Sequence, residues 1–292
     1  MSTEIYLGNP PENIKKWIKE NYKSKVNYLC FTAEEAGSTV KMSKSGSAPT
    51  VYLETSPTGE EGSWTDFTVC TYNEDTYEAN NDGITITLAN VGDKVYFRAK
   101  YDNERFATSS SAYNYFVMTG KIAASGNLNT LLKADGSVLD LTGRDYCYFC
   151  MFFFCTSLTQ APELPATTLA FSCYYGMFAG CTTLTQAHEL PATTLAIGCY
   201  YSMFEYCALT QAPELPATEL VEYCYSNMFK SCVNIPEPKY NMSHMTFDEV
   251  VNKIQDNWIF GEGYGIYEVQ CSDKILVATF DENEHVWIIT EK

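Results

Sequence analysis

Positive charge is scarce in this sequence. Lysine and arginine total 19 against 36 aspartates and glutamates, a net charge of −17 over 292 residues. Such a surface repels phosphate backbones, so nucleic acid is not an expected partner. It favours cationic partners or metal ions, although solubility alone also accounts for it. Histidine is scarcer still, with three in the chain, and no H-E-x-x-H, G-x-S-x-G or Walker loop is present. No apolar run reaches the length of a membrane span. The N-terminus, "MSTEIYLGNPPENIKKW", has neither a basic n-region nor an apolar h-region. No signal peptide is seen, and the chain is expected to begin in the cytoplasm.

Aromatic residues, at 14%, and cysteine, with twelve, are plentiful. Over 1–23, Asn9 can cap a short helix, with Pro10 and Pro11 in its first turn and Ile14, Trp17 and Ile18 on one face. From 24 to 123, runs such as "KVNYLCFTA", "GITITLA" and "DKVYFRAK" alternate with Gly, Ser and Asn clusters, which predicts a β-sandwich. Trp64 reads as a core or rim aromatic, or as a platform for a sugar. From 236 to 292, the Thr246–Glu249 pair predicts a helix start. Three apolar runs then predict a meander, together an α+β cap.

Between them, 124–235 repeats itself. Cys155, Cys181, Cys207 and Cys232 recur at steps of 26, 26 and 25 residues, in register with Cys147, Cys173, Cys199 and Cys224. Leu158, Leu184 and Leu209 form another column, as do Leu164, Leu190 and Leu215, and Leu169, Leu195 and Leu220. Met–Phe pairs recur at 151, 177, 203 and 228. A period of this size lies in the leucine-rich-repeat range, where stacked copies bury a core that one copy cannot. In "CYYGMFAGC" the spacing of Cys173, Met177 and Cys181 predicts one stripe of a helical segment. The cysteines then read as small apolar ladder residues rather than disulfides. Zinc is not expected, because no C-x-x-C pair recurs. The expected fold class is mixed α and β: an N-terminal β-sandwich, a short leucine-rich-repeat solenoid and a C-terminal α+β cap.

The polar columns supply the candidate contact residues. Gln160, Gln186 and Gln211 form one column and Glu163, Glu189 and Glu214 a second. Glutamates stacked about 5 Å apart repel by roughly 0.8 kcal/mol in water, so the column is either a solvated rim or a site for cations. Tyr174, Tyr200 and Tyr225 form an aromatic column that reads equally as contact surface or as packing between turns. His188 stands where the sister repeats have Pro162 and Pro213, and reads as a surface substitution. No catalytic residue, cofactor or metal is assigned.

"MFAGCTTLTQAHELPATTL" resembles the BspA-like class of leucine-rich repeats, in which an aromatic, a small residue and Cys precede "TSLT". Cys155–Leu158 and Phe178–Leu184 carry the match, whereas Cys207-Ala208-Leu209 is one residue short. The array is also similar to virion proteins of phages that infect Bacteroidales. The resemblance implies a non-enzymatic binding or adhesion protein at a virion or cell surface. It would be a phage fibre, spike or decoration protein contacting the host cell, or a bacterial adhesin. The partner implied is a cell-surface protein or glycan, and the assembly a homo-oligomer or part of a larger virion structure. The rival class is a glycan-processing enzyme using paired carboxylates. It is disfavoured because a regular ladder gives each glutamate nearly the same environment.

Overall fold

The computed structural model describes residues 26–73, 78–79, 82–236, 239–257, 266–281 and 286–292. The segment 1–23, expected to hold a short helix, lies outside the described residues. The first two sheets follow from two-residue alternation. In Lys94–Ala99 and Ala112–Thr119 every second residue is buried. A six-stranded sheet runs in the order Leu158–Gln160, Ile122–Ser125, Leu29–Ala33, Lys94–Ala99, Leu53–Ser56, Thr65–Phe67. A four-stranded sheet runs Ile86–Leu88, Ser38–Lys44, Ala112–Thr119, Ala107–Ser109. Phe31 and Phe97 of the first sheet meet Phe116 of the second edge-on, with centroids 5.0 and 5.5 Å apart.

The expected fold class is corrected by the structure. The chain is mostly β, with 31% of it in strands and 5% helical, several sheets and one α-helix, Phe247–Asn257, among the described residues; no solenoid is found there. The physical reason for the shortage of helix lies in the repeats. Tyr146, Cys150 and Phe154 have positive φ, as do Ser172, Gly176 and Gly180, then Gly198, Ser202 and Tyr206, then Tyr223, Asn227 and Ser231. One left-handed residue in every four cannot belong to a right-handed helix. It closes a succession of tight turns instead. The Cys–Met–Cys stripe therefore reflects a four-residue turn period and not a helical one.

Alternate amides hold these turns in two directions. Phe149 N–H, Phe153 N–H and Cys155 N–H close turns on Tyr146, Cys150 and Phe152 carbonyls at 2.9–3.0 Å. The amides between them reach the next repeat: Tyr148 to Cys173 at 2.8 Å, Cys150 to Tyr175 at 3.0 Å and Phe152 to Met177 at 2.9 Å. Tyr174, Gly176 and Phe178 bond the third repeat in the same way. These bonds offset the conformational cost of the left-handed residues, about 1–2 kcal/mol each outside glycine. Like side chains are thereby stacked on like. Phe152, Phe178, Phe204 and Phe229 lie 5.3, 5.4 and 5.9 Å apart with nearly parallel rings.

All twelve cysteines are free and buried. Cys181, Cys207 and Cys232 donate their thiol protons to the carbonyls of Phe152, Phe178 and Phe204 at 2.9–3.1 Å. The column thus uses a small apolar side chain that is also a weak donor.

The N-terminal sheets continue the stack. Phe116 lies over Phe152 at 5.1 Å and Phe106 over Tyr148 at 5.9 Å, both nearly parallel. Phe106 N–H and Phe116 N–H bond the carbonyls of Cys147 and Met151. At the far end Tyr240 packs edge-on against Phe229, and Thr246 and Glu249 cap the helix Phe247–Asn257 reciprocally. Ile266–Gln270, Ile275–Asp281 and Val286–Glu291 pair antiparallel beyond it. One continuous hydrophobic core runs from Leu29 through the repeats to Ala278.

Candidate functional site

The repeats pair their strand-like segments less regularly than their turns. Between the first and second repeats, Ala161 N–H reaches the Gln186 carbonyl at 3.2 Å and Thr185 N–H the Thr159 carbonyl at 3.1 Å. Thr183 clips the same pair of repeats. Its hydroxyl lies 2.8 Å from the carbonyls of both Thr156 and Leu158, one proton shared between two acceptors. Ser157 makes the corresponding bond to Met118 at 3.2 Å, and Asn234 to Ala208 at 3.3 Å.

The third repeat lacks this clip. Cys207-Ala208-Leu209 is one residue shorter than Cys181-Thr182-Thr183-Leu184, and Ala208 has no side-chain donor. Thr210 N–H still reaches the Thr185 carbonyl at 3.4 Å, but between it and the parallel bridge Thr194–Glu219 the two segments part. The backbones of Ala187, His188 and Glu189 on one side, and of Gln211 and Ala212 on the other, make no hydrogen bond among the described residues.

The parting forms a cleft of about 720 Å³, within the range of small-ligand sites. Gln186, His188 and Glu189 line one wall, Gln211 and Glu214 the other, and Leu190, Pro191 and Pro216 add apolar surface. Asn241 closes one end, where its carbonyl accepts from Leu215 N–H at 3.1 Å. Glu189 and Glu214 are exposed and have no ion-pair partner among the described residues. Lys230 and Lys253 are engaged elsewhere, with Glu205 at 3.2 Å and with Glu219 at 2.6 Å.

The predicted contact residues therefore fall into three groups. Gln186, Gln211, Glu189 and Glu214 share the cleft. Gln160 and Glu163 lie outside it. Gln160 is half-buried with its amide nitrogen 3.4 Å from His188 Nε2. Both Glu163 carboxylate oxygens accept from the Asn27 amide at 2.9 Å, and its backbone pairs with Gly126 and Leu128. The glutamate column is thus not one uniform rim. Tyr174, Tyr200 and Tyr225 are corrected outright as contact residues. They are at most 2% exposed, stacked at 5.7 and 5.9 Å inside the core. Burial also pushes their hydroxyl pKa values well above the usual tyrosine range, by desolvation of the phenolate.

The second tyrosine of each doublet is the outer one. Tyr175 and Tyr201 are half-buried and stack 4.6 Å apart, with their faces covered by each other. Trp64 offers no open sugar platform on one of its faces, because the Arg98 guanidinium sits 4.2 Å over it. Among the described residues no group of three His, Cys, Asp or Glu is placed to hold a metal ion, and no helix is long and apolar enough to cross a membrane. His188 and Asn241 join the cleft without having been singled out as contacts. The one-residue deletion at Ala208 is the one mark of the cleft's position in the sequence, where it was read only as a shortened repeat. No family model, curated protein or solved structure matches the chain.

Proposed function

We propose that the chain is a non-enzymatic binding protein that presents its repeats to a cell surface. The context that best suits its resemblance to BspA-like repeats is a phage virion, as a fibre, spike or decoration protein contacting the host cell. A bacterial adhesin is the second context for the same surface. One observation carries the reading: the cleft joins unpartnered carboxylates and amides to unpaired backbone, on a frame held rigid by stacked turns. Groups left unsatisfied at a surface, but preorganised, gain most from a partner that pairs them. Repetition further suits a surface displayed in many copies, where avidity multiplies modest contacts.

The test is retention of envelopes. Immobilised full-length protein is incubated with cell envelopes of Bacteroidales and, separately, with mammalian extracellular matrix, then washed. Retention of bacterial envelopes supports the virion reading, and retention of matrix alone the adhesin reading. Retention of neither by folded protein refutes both.

A further inference from the structure

The two walls of the cleft run in the same direction, as the parallel bridges Gln160–Gln186 and Thr194–Glu219 show for their repeats. Along Ala187–Glu189 and Gln211–Ala212 the backbone N–H and C=O groups make no hydrogen bond among the described residues. A guest that supplies its own alternating N–H and C=O groups pairs them, as when a peptide adds a strand to an open sheet.

Charge narrows the guest further. Glu189 and Glu214 face the cleft from opposite walls, and 146–234 contains six glutamates and one basic residue, Lys230. Cationic side chains on the guest would form charge-assisted hydrogen bonds there. Ala187, Ala212, Pro191 and Pro216 leave room beside them for small apolar groups. No Phe, Tyr or Trp lines the cleft, so it lacks the broad aromatic face on which a sugar ring stacks best.

We infer that the cleft between the second and third repeats binds an extended basic peptide segment, main chain to main chain, with its lysine or arginine side chains on Glu189 and Glu214. The inference rests on the binding reading above and names the chemistry of its partner. The guest is a Lys- or Arg-bearing segment of a surface protein, held in strand conformation.

The experiment uses the full chain and a short fluorescent peptide of alternating lysine and threonine, read by anisotropy at low salt. Saturable binding is expected. Glu189→Gln combined with Glu214→Gln should weaken it about tenfold or more, the loss of two charge-assisted bonds. Glu219→Gln combined with Glu222→Gln, outside the cleft, should leave it within about twofold. The same peptide N-methylated at its lysines lacks main-chain donors along one edge. It should bind the wild-type protein about tenfold more weakly.

Equal affinity for the N-methylated peptide overturns the inference, because the main chain is then not read. An equal loss in the Glu219/Glu222 variant also overturns it, because general negative charge is then the cause. Absence of saturable binding overturns it too. If envelopes are still retained while the peptide arms fail, the binding reading stands and the cleft assignment alone falls. The N-methyl arm needs no variant to fold.

Discussion

Two tyrosines of one column provide a sharp test of the packing argument. Tyr148 and Tyr174 stack 5.7 Å apart, nearly parallel, and both are fully buried. Their hydroxyls differ. Tyr148 donates to the Asn129 side-chain carbonyl at 2.8 Å, whereas the Tyr174 hydroxyl is buried without a hydrogen-bond partner. Tyr148→Phe removes one bond and strands the Asn129 oxygen, a cost of about 1–3 kcal/mol. Tyr174→Phe removes a hydroxyl that lost its hydration on folding and gained nothing. The desolvation penalty recovered, less a small cavity term, should stabilise the protein by about 1 kcal/mol. Urea unfolding followed by circular dichroism reads both changes as midpoint shifts at constant slope. The two variants should move in opposite directions. A Tyr174→Phe variant less stable than wild type by more than about 0.5 kcal/mol would refute the reasoning, showing that the hydroxyl has a partner such as ordered water.

The cysteines predict a pH dependence. Burial pushes Cys147, Cys150, Cys155 and Cys199 from 9.0 up to about 12 by desolvating the thiolate. The unfolded chain loses these protons at lower pH than the folded one. Their stabilising contribution is therefore complete below pH 9 and is lost progressively between about 9 and 12. Thermal unfolding should drop steeply across that window, and a thiol reagent at pH 8 should find all twelve cysteines only in denaturant; rapid labelling of the native protein would contradict the burial. Thr183→Val deletes the hydroxyl clip between the first two repeats. It should cost about 1–2 kcal/mol and speed hydrogen exchange at Ala161 N–H, whereas unchanged exchange would remove the clip from the account of the cleft.

The interior columns were legible because stacking repeats an environment. Leu158, Leu184 and Leu209 are all fully buried, and so are Met151, Met177, Met203 and Met228. The tyrosine doublets carried a readable signal as well. The first position is tyrosine in all four copies, at 148, 174, 200 and 225, while the second varies through Phe149, Tyr175, Tyr201 and Ser226. A side chain fixed in every copy is the one enclosed by its own kind. The helical stripe was misread because a spacing of four suits a helix and a four-residue turn alike. Only the glycines at 176, 180 and 198 hinted at positive φ, and most of the left-handed positions are not glycine.

The repeat period, the burial of its leucines and the acidic balance follow from the sequence alone, because each depends on residue type and spacing. The turn conformation, the separation of Glu163 from Glu189 and Glu214, and the cleft itself were decided by tertiary structure. Glu163 is taken by Asn27, far away in sequence, through contacts that no local pattern encodes. The cleft opens where one residue is missing and one hydroxyl clip is lost. Its consequence depends on which backbone groups the neighbouring repeat leaves unpaired, and only the folded chain brings those repeats side by side.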